Sequence, residues 1–141
     1  MMKRRGENGF SLIELLVVVV VIGVIASIAV PHLQKGIRAA ENGNVFATLR
    51  TISSEEMSYY SQNGRFARIT EINNLLSGSI GSNSGSDVIR GKFVISMSPA
   101  SPTDLELRDG FTMTATRNVA GEGVIYVYEL TQSGVIRQIL P

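Results

Sequence analysis

"GFSLIELLVVVVVIGVIASIAVP", Gly9 to Pro31, is an apolar run interrupted by a single carboxylate, Glu14. Taken as a helix from Phe10 to Val30, it would span roughly 31 Å at 1.5 Å per residue, the hydrocarbon thickness of a bilayer. An ionised side chain in that medium costs roughly 2.5–3.5 kcal/mol near its centre, even on insertion-based scales. The function of the chain turns on what offsets that cost.

Lys3, Arg4 and Arg5 precede the run and favour a cytoplasmic N-terminal end, a bias that Lys35 and Arg38 weaken from the other side. A secretory signal peptide cut after the small residues Ser27 and Ala29 fits the composition. It fits poorly otherwise: the run exceeds the roughly 7–15 apolar residues usual in such peptides, Pro31 would follow the cut, and Glu14 lies inside. A plain membrane anchor accounts for the length and the basic flank but leaves Glu14 unexplained.

Composition bounds the remainder. Beyond the apolar segment, the 141-residue chain has enough length for one small soluble domain. Of 13 basic and 12 acidic residues, Lys3, Arg4, Arg5 and Glu7 precede Gly9, so a cut there leaves ten basic against eleven acidic. The product would be nearly neutral, without global attraction to nucleic acid. The lack of cysteine excludes disulfides, thiolate metal sites and cysteine nucleophiles, and His32 is the sole histidine. No phosphate-binding glycine loop, serine-centred triad or carboxylate dyad stands out, and "GEG" at Gly121 to Gly123 reads as a turn. Neither enzymatic activity nor a metal or cofactor is expected.

After Pro31 the apolar residues Leu33, Ile37, Ala40, Val45, Leu49 and Ile52 recur mostly every three or four positions, with charges between them. The helix should therefore continue, now amphipathic, to about Tyr60. Gly36 and Gly43 read either as sites of bending or close packing within it or as simply tolerated glycines. "SQNGRF", Ser61 to Phe66, contains an Asn-Gly pair suited to ending the helix. "ITEINNLL" predicts a short helical turn, and "SGSIGSNSGSD", Ser77 to Asp87, is too rich in Gly and Ser to predict regular structure. From Lys92 the period changes: "KFVISM", "GFTMTAT", "GVIYVYEL" and "GVIRQIL" predict four antiparallel strands. Phe111, Met113 and Ala115 alternate with threonines, so one face should pack on the helix. "SPASPT", Ser98 to Thr103, is a connecting loop.

A DNA-binding strip could be assembled from Arg65, Arg68, Arg90, Arg108, Arg117 and Arg137, but Glu55, Glu56, Asp104, Glu106 and Asp109 are interspersed and argue against it. Phe10, Phe46, Tyr59, Tyr60 and Phe66 read as packing residues rather than an electron path.

"RRGENGFSLIELLVVVVVIGVIASIAVP", from Arg4 to Pro31, resembles the N-terminus of type IV pilins and the related type II secretion pseudopilins. The resemblance rests on a short basic leader ending in Gly9, then Phe10, Glu14 as the fifth residue after the glycine, and a long apolar run containing Gly23 and closed by Pro31. "LRTISSEEMSYYSQNGRFA" and "YELTQSGVIR" are similar to the helix end and closing hairpin of short cysteine-free members. The resemblance implies an α+β pilin fold, a long N-terminal helix packed on a small antiparallel sheet of about four strands. Residues 1–9 would be a leader peptide, 10–31 the transmembrane and assembly helix, and 32–141 the head. The head would comprise an amphipathic helix (32–60), an αβ-loop (61–91) and the sheet (92–141).

It further implies cutting after Gly9 by a prepilin peptidase, N-methylation of Phe10, assembly through Glu14 and Phe10, and melting or kinking between Gly23 and Pro31. The cut creates an ammonium on Phe10 one helical turn from Glu14, and the corresponding glutamate in the family is thought to meet a neighbour's terminal amine. Such a pair in low dielectric sets register, because breaking it strands a charge. The implied function is a structural subunit of a helical filament serving adhesion or motility, or alternatively a secretion pseudopilin. Implied partners are copies of the chain, the peptidase, an inner-membrane assembly platform with its ATPase, and the membrane before assembly; nucleic acid is not expected. The implied location is the inner membrane as a single-pass precursor, then a cell-surface filament or periplasmic pseudopilus.

Overall fold

The computed structural model describes residues 9–141. The basic residues Lys3, Arg4 and Arg5, with Glu7 and all of the expected leader before Gly9, lie outside the described residues. The chain divides into two units, one ending at Ala39 and the other spanning Ala40–Pro141.

In the first unit Gly9, Phe10 and Ser11 precede α1 (Leu12–Asn63), a helix of 52 residues whose N-terminal turns are the apolar run. Valines are mediocre helix formers in water. In hydrocarbon, however, a backbone without internal hydrogen bonds is far more expensive, and only the helix satisfies every amide within one segment. The large apolar side chains from Leu12 to Val30 remain 50–81% exposed, so nothing among the described residues covers them. Pro31 lies within the helix. Its missing N–H deprives the Ser27 carbonyl of an intrahelical donor, while the Ser27 hydroxyl turns back to the Val24 carbonyl at 2.7 Å.

The second unit begins with the later turns of α1, which bury Val45, Thr48, Leu49, Ile52 and Glu56 at steps of three or four residues. The helix ends where the Asn-Gly pair predicts. Gly64 takes φ +67°, a conformation that favours glycine, and its N–H caps the Tyr60 carbonyl at 2.9 Å. The predicted helical turn is α2 (Ile69–Leu75).

Six strands follow where the sequence predicts four: β1 (Ser82–Ser84), β2 (Asp87–Arg90), β3 (Phe93–Ser98), β4 (Thr112–Asn118), β5 (Ile125–Thr131) and β6 (Ile136–Leu140). They form an antiparallel meander in sequence order. The four expected strands are β3 to β6. The additional pair begins in the Gly/Ser tract expected to be irregular, which holds β1 and the first residue of β2, with Ser84 opposite Asp87 and Gly85 at φ +62° in the turn. Backbone pairing, rather than burial, holds β1, since Ser82, Asn83 and Ser84 are all exposed. A short α3 (Glu106–Asp109), also unforeseen, follows the proline-rich loop. At its start Thr103 N–H donates to Glu106 Oε2 at 2.7 Å and Glu106 N–H donates to Thr103 Oγ1 at 3.3 Å, a reciprocal cap.

The alternation in β4 places Phe111, Met113 and Ala115 in the core, with the threonines between them only half-buried. Phe93, Ile95 and Met97 of β3 and Tyr128 and Leu130 of β5 complete that inner face against Val45, Leu49 and Ile52. Each such large apolar side chain contributes roughly 1.5–3 kcal/mol on burial. Asn73 of α2 is buried and fully bonded: it donates to the Gly81 carbonyl and Asn83 Oδ1 and accepts the Ile80 and Gly81 N–H groups. The amide thereby ties α2 to the start of the sheet.

Candidate functional site

Of the residues singled out by the sequence, Gly9, Phe10 and Glu14 gather at the start of α1, while Gly23 and Pro31 lie further along it. Gly9 and Phe10 lie in non-helical, exposed backbone, Phe10 at 83% exposure, as a segment must be to enter a peptidase cleft. A Cβ placed on Gly9 would meet nothing within 4 Å. Packing among the described residues therefore does not demand glycine there. The same holds for Gly23, Gly36 and Gly43, each of which costs about 1 kcal/mol against alanine in a helix and has open space around it.

Glu14 stands in the first turn of α1, where the helix dipole favours an anion. Its Oε2 accepts the Ser11 backbone N–H at 2.8 Å, the glutamate half of a capping box. Ser11 N–H is one of the donors a helix start leaves unsatisfied, so one contact answers two deficits. Sequence reasoning treated Glu14 as an interruption of the run and missed this role. The Ser-x-x-Glu spacing at 11 and 14 was the available signal. Among the described residues Glu14 Oε1 accepts no hydrogen bond.

In the second unit the charged residues pair among themselves. Arg117 is wholly buried on the inner face of β4 and bonds Glu41 of α1 and Glu122 of the β4–β5 turn, each at 3.0 Å. The Glu122 hydrogen bond chiefly raises the Arg117 pKa further, and Arg117 in return lowers that of Glu122. Lys92 joins both carboxylates at 3.5 and 3.4 Å. Arg65 grips Glu71 through two nitrogens at 2.9 and 3.0 Å, which holds Glu71 below the usual carboxylate range. Arg68 meets Asp104 at 2.7 Å, Arg90 holds Asn44 with the Ser79 and Ile80 carbonyls, and Arg137 meets Glu129. Five of the six arginines considered for a phosphate-binding strip are thus engaged with groups of the chain itself. In the head the Tyr60 and Phe66 rings lie tilted with centroids 4.6 Å apart, and Phe66 meets Phe111 in a T-shaped contact at 4.9 Å. Among the described residues no group of three His, Cys, Asp or Glu side chains is placed to hold a metal ion.

Residues 4–30 match the family model described as the prokaryotic N-terminal methylation motif. The chain is 32% identical over 65 residues to the type II secretion system core protein G of Klebsiella michiganensis, covering 46% of each chain. It is 34% identical over 65 residues to the protein of the same name from Dickeya chrysanthemi, covering 46% of this chain and 42% of that one. It is also 32% identical over 61 residues to the type IV major pilin protein PilA of Myxococcus xanthus, covering 43% of this chain and 28% of the pilin. The chain thus spans less than half the length of the curated relatives it matches. No solved structure matches it.

Proposed function

We propose that this chain, which carries the N-terminal methylation motif and has type IV pilin and type II secretion core proteins among its relatives, is a structural subunit of a helical filament. The observation that carries the proposal is the apolar stretch of α1, exposed along its length from Leu12 to Val30 with Glu14 anchored at its head. So much apolar surface must be covered, first by lipid and then by other copies of the same helix. Heterologous contacts of that kind do not close, and they propagate a filament.

The apolar helix keeps the precursor in the inner membrane, and assembly moves it into a surface filament or a periplasmic pseudopilus. Processing after Gly9 by a prepilin peptidase and methylation of Phe10 precede assembly by an inner-membrane platform and its ATPase. Glu14 holds Ser11 with one oxygen and offers the other to the Phe10 ammonium of a neighbour. We read the subunit as structural rather than enzymatic.

A surface pilus is the leading form. A secretion pseudopilus is the second, favoured by the core protein G relatives. Electron microscopy of sheared cells, with mass spectrometry of the main sheared band, tests the proposal. Surface filaments built of this chain establish the pilus. A secretion defect on deletion, without surface filaments, establishes the pseudopilus, and the absence of both surface filaments and a secretion defect overturns the filament proposal.

A further inference from the structure

We propose that Glu56 is an uncharged carboxylic acid that latches residues 64–68 and α2 onto α1, and that its ionisation loosens this part of the head. The inference is independent of how the chain assembles.

Glu56 lies on the buried stripe of α1, one step beyond Val45, Leu49 and Ile52, and has no exposed surface. Its Oε2 accepts the Ala67 N–H at 2.8 Å, and Ala67 is itself fully buried. Its Oε1 is buried without a hydrogen-bond partner. An ionised carboxylate in that position would have one oxygen desolvated and unmatched, which apolar surroundings punish heavily; a neutral acid removes most of that penalty.

The surrounding charges do not rescue the anion. Arg65 on the latched segment and Glu71 on α2 both act on Glu56, but they are bonded to each other, so their fields largely cancel. Arg68 is paired with Asp104. Arg117 on the sheet pairs with Glu41, fifteen positions earlier on α1 and thus roughly 22 Å along the helix. Glu55, beside Glu56 on α1, is half-exposed and of the same sign.

The latched segment has the form of a hinge. Gly64 opens it in a left-handed conformation, and beyond Glu56 it is held by Phe66 N–H on the Leu107 carbonyl at 2.8 Å and by the Arg65 pair. Burial pushes the Glu56 carboxyl up to about 8; the Ala67 N–H pulls the other way, Glu71 adds to the rise and Arg65 opposes it. Because the folded value lies above the unfolded value of 4.5, the latch's full contribution is present below pH 4.5. It declines as pH rises and is gone above about 8.

The test is hydrogen exchange of the full-length chain in detergent micelles, corrected for intrinsic rates, comparing residues 64–72 with β4. The wild type should lose protection in 64–72 by about tenfold per pH unit between pH 5 and 8 and then level off, the slope of one linked proton. Glu56→Gln keeps an acceptor for Ala67 and should abolish that slope. A flat wild-type profile, or the same slope in Glu56→Gln, overturns the proposal. Should the variant fail to fold, infrared spectroscopy of the wild type at pH 6 decides: a protonated-carboxyl band that shifts with isotopically labelled glutamate supports the latch, and its absence refutes it.

Discussion

Glu14 reaches back to Ser11 and takes its backbone N–H at 2.8 Å, so the carboxylate in the apolar run also caps the helix that contains it. The cost of carrying an acid into a membrane is thereby reduced before any partner arrives, by a charge-assisted hydrogen bond and by the helix dipole. The contact also orients the side chain and leaves one oxygen uncommitted.

The mature chain is expected to begin at N-methylated Phe10. Mass spectrometry of the purified protein reads this directly. Gly9→Val should accumulate as an uncut membrane precursor, although nothing in the chain's own packing resists the valine. A terminus after Ala29 would instead establish a signal peptide.

Glu14→Leu should be cut and inserted normally yet fail to polymerise. Leucine suits the membrane better than glutamate, so failed insertion would not explain missing filaments. What is lost is the partner for a neighbour's Phe10 ammonium, roughly 3–5 kcal/mol per subunit if that cation is stranded in a dry core. Terminal sequencing alongside a count of sheared filaments checks it, and wild-type filament numbers would sink the ion-pair account.

The segment from Gly23 to Pro31 is helical in the subunit and is expected to lose helix in the filament, where Gly23 and the Ser27 carbonyl robbed of its donor make melting cheapest. A filament map showing unbroken helix from Ile25 to Val30 would contradict this.

Gly43→Ala and Gly81→Ala should act in opposite directions on the melting temperature of the detergent-solubilised chain. Alanine at 43 meets nothing within 4 Å and should stabilise the helix by about 1 kcal/mol. At 81 its Cβ would press into the Ile89 carbonyl oxygen, so the strand must shift, at about 1–3 kcal/mol. If Gly43→Ala raises stability but reduces filament number, the glycine serves a neighbour's approach.

Arg117→Ala should destabilise the head by about 3 kcal/mol, since it leaves Glu41 and Glu122 facing each other with only half-exposed Lys92 between them. Glu41→Gln should cost much less, because Arg117 retains Glu122. Thermal unfolding of the two variants side by side measures the difference.

Features with local causes are legible in the order of residues. The length of the apolar run, the Gly9, Phe10 and Glu14 spacing, the Asn63-Gly64 stop and the alternation in β4 are each set by neighbours a few residues away, and the structure places the stop and the alternation as predicted. The other features have causes that lie elsewhere in the chain. Ser82 to Ser84 become a strand because β2 offers a backbone ladder, a cause invisible in side chains that stay in water. Glu55 and Glu56 look alike in sequence, but one turns outward and the other falls in phase with Leu49 and Ile52 and is sealed beneath the Ala67 amide. Arg117, one candidate among six for a surface strip, is buried because Glu41, 76 positions earlier, meets it across the core. Whether a charge lies in water or in the core depends on which distant elements close over it, and that is settled by packing between segments rather than by the residues beside it.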